Sequence, residues 1–95
     1  MYGLIGKIRA TVGQRAALVA ALSAGTTAMP GNLSYVVAED ARDPDLIWVT
    51  EIWDGEASHK ASLALPEVQQ AIKVGRPLIA EFNTVATTRP VSGAR

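Results

Sequence analysis

The eight residues Leu46–Trp53, LIWVTEIW, decide how the chain folds. Six of them are β-branched or aromatic, so the stretch reads as a strand, and side chains alternate across its two faces. Leu46, Trp48 and Ile52 fall on one face; Ile47, Val49, Glu51 and Trp53 fall on the other. Just upstream, residues 33–39 have the same character. Residues 40–45 between them contain Asp43 and Pro44, whose turn chemistry suits a hairpin loop. The middle of the chain is therefore two antiparallel strands.

Working outward, Tyr2–Ala10 is rich in Leu and Ile and is closed by a turn at 11–13, which makes it a first strand. Across 14–29 the period changes: Ala17, Leu18, Ala21, Leu22, Gly25 and Met29 recur at three- and four-residue steps, the stripe of an amphipathic helix that Pro30 and Gly31 stop. Downstream, 55–65 turns helical again. Pro66 opens a further helix, with Val68, Ala71 and Ile72 inward, because a first helical position tolerates its fixed φ and missing donor. Gly75, Arg76 and Pro77 break that helix before 78–82, and the Thr- and Val-rich segment 84–91 closes the chain as a strand. The order β, α, β, β, α, β predicts one α+β domain over 1–95. The predicted architecture is a ferredoxin-like βαββαβ sandwich, a four-stranded antiparallel sheet with helices on one face.

Such a sheet ordinarily alternates apolar and polar residues, with the polar face in water. Here both faces are apolar: Leu46, Trp48 and Ile52 oppose Ile47, Val49 and Trp53, and Leu33, Tyr35 and Val37 oppose Val36 and Ala38. An apolar sheet face without helices is the kind of patch that marks association, so a homodimer is expected. Nine basic residues balance nine acidic ones and no basic run occurs, which argues against nucleic acid or an anionic membrane as partner. The absence of cysteine excludes disulfides and thiolate chemistry and agrees with a reducing, cytoplasmic setting. No signal peptide or membrane span is expected, since no apolar run reaches ~18 residues.

Chemistry must come from a small set of residues. His59 is the single histidine and thus the one side chain that titrates near neutrality. If Ala57, Ala61, Ala64 and Leu65 form the buried stripe of its helix, His59 points away from the core, to solvent or a neighbouring subunit. Glu51 shares a strand face with Trp53; beneath helices its pKa would rise, making it a candidate general base for a phenol, while an ion pair with Lys7 or Arg9 is the structural alternative. Tyr35 and Trp53 are of a size to wall an aromatic pocket, small Ala57 and Ala61 would leave room above it, and Asn32 and Arg76 offer further polar contacts. One histidine and no cysteine leave no metal-ligand pattern, and neither a phosphate-binding glycine fingerprint nor a nucleophile elbow occurs, so no metal and no cofactor is expected.

The strand order, the segment GNLSY at 31–35 and above all EIWDGEASHKASLALPEVQQAI at 51–72 resemble the antibiotic biosynthesis monooxygenase (ABM) family of dimeric α+β-barrel proteins. The likeness runs over nearly the whole chain. It implies a pocket between helices and sheet, and oxygenation of a hydroquinone or polyketide-like phenol by dioxygen without metal or flavin. Glu51 and His59 would be the catalytic residues, and Trp53, Tyr35 and Ser62 would contact substrate. Two positions depart from the family: Ser62 stands where many members carry histidine, and Gly6 stands where haem-degrading relatives carry asparagine. The first departure favours the alternative of a noncatalytic small-molecule-binding or stress-response dimer; the second speaks against haem degradation.

Overall fold

The protein is described by a computed structural model over residues 1–93, so the expected domain of 1–95 includes two residues, Ala94 and Arg95, that lie outside the described residues. Its strands are β1 (Tyr2–Ala10), β2 (Asn32–Glu39), β3 (Leu46–Trp53) and β4 (Ile79–Thr88), and its helices are α1 (Arg15–Ala24), α2 (Glu56–Ser62) and α3 (Pro66–Gly75). A 3₁₀ turn, Arg76–Leu78, joins α3 to β4. The sheet runs β2-β3-β1-β4 with every neighbouring pair antiparallel, the ferredoxin-like topology expected from the element order.

Strand register fixes what the helices cover. Opposite one another on the helix side stand Tyr2 and Trp53, Leu4 and Glu51, Gly6 and Val49, and Ile8 and Ile47. Tyr35 of β2 completes the row by pairing with Glu51 from the other side. Ile8, Ala10, Ile47 and Val49 pack with Leu18 of α1 into one buried cluster; Met29, Trp53 and Val68 form a second, and Tyr35 packs against both. Close helix packing needs a missing side chain at Gly25, where a Cβ would press on the backbone and Ala71 of α3.

The far end of the sheet is held by polar contacts. Arg15 donates to the carbonyls of Asp40, Asp43 and Leu46 at 3.3, 2.7 and 3.4 Å, which ties the start of α1 to the β2–β3 loop. Asp40 accepts from the backbone N–H groups of Arg42 and Asp43, and Asp43 from that of Asp45, so the expected hairpin loop is a run of Asx turns. On the helix-free face Trp48 donates its indole N–H to Asp40 at 2.9 Å and lies under the Lys7 ammonium, 5.8 Å from its ring centre.

Four boundaries differ from expectation by three residues or more, one of them the end of α2, at Ser62 rather than Leu65. The first helix ends at Ala24, not near Met29: Gly25 and two threonines are poor helix formers, and the Thr26 hydroxyl instead caps the Leu22 carbonyl at 2.8 Å. Met29 is buried beside Trp53 from a non-helical segment. The last strand begins at Ile79 and stops at Thr88, because the 3₁₀ turn at Pro77 occupies only three residues before pairing with Ala10 becomes possible.

Candidate functional site

A cavity of about 540 Å³ opens on the helix side of the sheet, within the size range of small-molecule sites. Its floor is β1, β3 and the helix-facing side of β4; its walls come from α2, α3 and the segment around Met29. Strand pairing brings Glu51 to the centre of that floor, between Leu4 and Tyr35.

The Glu51 carboxylate accepts the Trp53 indole N–H at 3.1 Å. Burial pushes its pKa above the ordinary carboxylate value, partly offset by the Trp53 hydrogen bond and the positive charge of a protonated His59. The Tyr35 pKa is raised as well, by burial first and by the neighbouring Glu51 charge second, so its phenol stays protonated at neutral pH and keeps its O–H to donate. The alternative of an ion pair from Glu51 to Lys7 or Arg9 does not form: Arg9 pairs with Asp43 at 3.0 Å, and strand alternation puts both cations on the opposite sheet face.

His59 corrects the expected helix orientation. It faces the cavity, its ring edge-on to Trp53 at 5.5 Å and tilted against Tyr2 at 5.8 Å. Ala57, Ala61 and Ala64 are exposed, so they neither form the buried stripe nor leave room over the pocket. The physical reason is that alanine methyls bring little apolar area, whereas turning the helix the other way packs an imidazole on two aromatic rings. Ser62 is buried on the cavity wall as well, and its hydroxyl donates to the His59 carbonyl at 2.6 Å.

Trp53 is only 1% exposed, so it backs the wall and aims Glu51 with its N–H, leaving little surface for an occupant. Asn32 is also occupied, donating to the carbonyls of Ser34 and Ile52 across an irregular step in the β2–β3 pairing. Arg76 borders a smaller cavity of about 200 Å³ that shares Ile8, Leu22, Tyr35, Val68 and Phe82 with the main one. Residues not anticipated are Tyr2, Met29 and Phe82 on the cavity wall. The two-residue strand period already puts Tyr2 on the face of Leu4 and Ile8; nothing local marks Phe82, which register places opposite Ile8. Among the described residues no three His, Asp or Glu side chains gather as a metal site would require, and no helix is long and apolar enough to cross a membrane.

The family model described as antibiotic biosynthesis monooxygenase matches residues 1–74. Among solved structures, a candidate antibiotic biosynthesis monooxygenase from Chloroflexus aurantiacus is 62% identical, with a TM-score of 0.89 over 97% of this chain and 94% of that one. One from Deinococcus radiodurans is 28% identical, with a TM-score of 0.80 over 100% of this chain and 97% of that one. No curated protein matches.

Proposed function

We propose that this chain, which belongs to the antibiotic biosynthesis monooxygenase family, oxygenates a hydroquinone or polyketide-like phenol with dioxygen and uses its own side chains, without metal or flavin, to do so. The observation that carries this reading is the Glu51 carboxylate, half-buried on the cavity floor, raised in pKa and held by the Trp53 indole. A carboxylate in that state is a better proton acceptor than one in water, and it faces apolar space where an aromatic ring fits.

The steps follow from the residues. Glu51 takes the proton of a substrate hydroxyl, while the Tyr35 phenol donates a hydrogen bond to a second substrate oxygen. The resulting phenolate gives one electron to dioxygen, and the superoxide and substrate radical so formed recombine to a peroxide on a ring carbon that bears hydrogen. Protonation gives a hydroperoxide; loss of water leaves a carbonyl on the ring, so one oxygen atom enters the substrate and the other leaves as water. His59, packed against Tyr2 and Trp53 at the wall, returns the proton that Glu51 collected. The apolar lining keeps water from the radical pair. In this reading the molecule works as a cytoplasmic homodimer joined through the helix-free sheet face.

The test is oxygen consumption with a panel of hydroquinones and anthrones, in the presence of chelator and without added flavin. Turnover of at least one substrate is expected. Glu51→Gln should lower that turnover by about a hundred-fold or more while leaving binding nearly intact. Binding throughout the panel with no oxygen uptake would assign the cavity to a noncatalytic binder instead.

A further inference from the structure

Gly6 lies in the interior of β1, a central strand, and borders the cavity floor between Leu4 and Ile8. A glycine there normally weakens a strand, by roughly 0.5–1 kcal/mol relative to alanine, and is kept for a reason. The β1–β4 pairing does step irregularly between Ile5 and Gly6, but the extra residue, Val85, belongs to β4, and the φ of Gly6 is not in the positive range, where only Gly13, Gly31 and Gly93 fall among the described residues, so the irregularity does not itself require glycine at position 6. No close approach forbids a side chain either: a Cβ built on Gly6 meets the Val49 carbonyl oxygen at 3.8 Å, the Asn83 carbonyl oxygen at 3.9 Å and the Phe82 ring at 4.0 Å, all ordinary contact distances. Contrast Gly31, where a Cβ would overlap Ser58.

The backbone can therefore carry a side chain at position 6, and the space that side chain would fill is the cavity itself. Because Gly6 stands opposite Val49 on the helix-facing side, its absent methyl leaves a flat strip of main chain one register step from Glu51. A planar ring system can lie directly on that strip with a hydroxyl toward the carboxylate. We infer that Gly6 is the specificity-determining residue of the site: it sets the depth of the floor and thereby admits wide, flat ligands that an alanine would lift off the sheet.

This inference rests on the phenol-binding reading given above, and the experiment separates the two. Affinities of wild-type protein and of Gly6→Ala are measured by calorimetry for two stable probes, 1,8-dihydroxyanthraquinone as the wide flat ligand and 4-ethylphenol as the narrow one. Thermal unfolding is followed in parallel. The expected result is an unchanged or higher unfolding midpoint for Gly6→Ala, an affinity for the anthraquinone lowered about ten-fold, as intrusion of one methyl into a filled site costs, and an affinity for 4-ethylphenol changed less than about two-fold. Gly6→Val should extend the same order. If wild type binds both probes and Gly6→Ala binds them equally well, the assignment of Gly6 is overturned while the phenol site stands. If wild type binds neither, the parent reading falls and takes this one with it. A Gly6→Ala chain that unfolds well below wild type would show that the glycine serves the backbone, which also overturns the inference.

Discussion

Two opposed effects, burial and a single indole N–H, set how the central carboxylate behaves. Trp53 stabilises the ionised form of Glu51, whereas burial disfavours it, and burial is the larger effect. Since Glu51 must be ionised to accept a proton, the acid limb of kcat/KM should lie above the usual carboxylate range. Trp53→Phe removes the donor while keeping most of the ring, so it should move that limb to still higher pH; a limb that stays put would show that another group titrates. The same shift has a consequence for stability. A carboxyl group whose pKa is raised by folding stabilises the native state in acid, and that contribution is lost as pH rises through the folded value. Glu51→Gln, which never ionises but can still accept from Trp53, should therefore match wild type at about pH 4 and melt higher at about pH 8, where the wild-type carboxyl pays for its burial. Thermal midpoints across that range decide it. At the opposite end of the sheet Asp40 behaves inversely. The Asp43 N–H, the Trp48 indole and the Arg42 N–H hold it at about 2, so its contribution is present at neutral pH and is lost as pH falls from the ordinary aspartate range through that value.

The seating of α2 puts His59 into the site, and one glycine controls that seating. Gly31 has φ +80°, accepts the Asp54 N–H at 2.9 Å on its carbonyl, and sits where any Cβ would overlap Ser58 of α2. Gly31→Ala combines left-handed strain with that overlap and should cost about 2 kcal/mol or more. For a domain this small the thermal midpoint should drop by about 10 °C, with Trp53 fluorescence altered as His59 shifts. An unchanged midpoint would mean that the contact is relieved at no cost. The turn role of Gly31 was legible, since Pro-Gly between a helical and a β-rich run is strong punctuation; its contact with α2 was not, because that depends on two segments meeting in space. The same division runs through the fold. The 40–45 hairpin loop was readable from Asp and Pro chemistry that acts within a few residues, and the shared face of Glu51 and Trp53 followed from strand alternation alone. The rotation of α2 was not readable: its stripe of alanines is too weak a hydrophobic signal to overrule the packing of His59 on Tyr2 and Trp53, partners that lie on two different strands. Residues such as Phe82 enter the site only through β1–β4 register, which no local pattern specifies.

At the scale of the whole molecule, all three helices lie over one side of the sheet, and the other side has Val36 at 51% exposure among Ile5, Trp48 and Ile52. Part of that face is already satisfied within the chain. The Trp48 N–H is bonded to Asp40, and Lys7 lies over its ring, so a partner need only cover the aliphatic remainder. A stable interface buries about 800 Å² on each partner; on this face the aliphatic residues would supply its apolar part, with Lys7 and Arg9 of β1 lying on the same face. Face-to-face packing of two such sheets is a known way to build a core, at about 10 Å separation. Sedimentation equilibrium at micromolar concentration should therefore give a two-chain mass. Val36→Lys, which puts a charge into the proposed contact on its β2 side, should shift the equilibrium to one chain without loss of secondary structure. Leu63→Glu and Val74→Glu alter residues that are also exposed, at 46% and 49%, but lie on the helix side; they should leave the two-chain mass intact. That pair of controls makes the location testable as well as the stoichiometry. A dimer broken by the helix-side changes and indifferent to Val36→Lys would move the interface to the other layer, and a one-chain mass at every concentration would remove it.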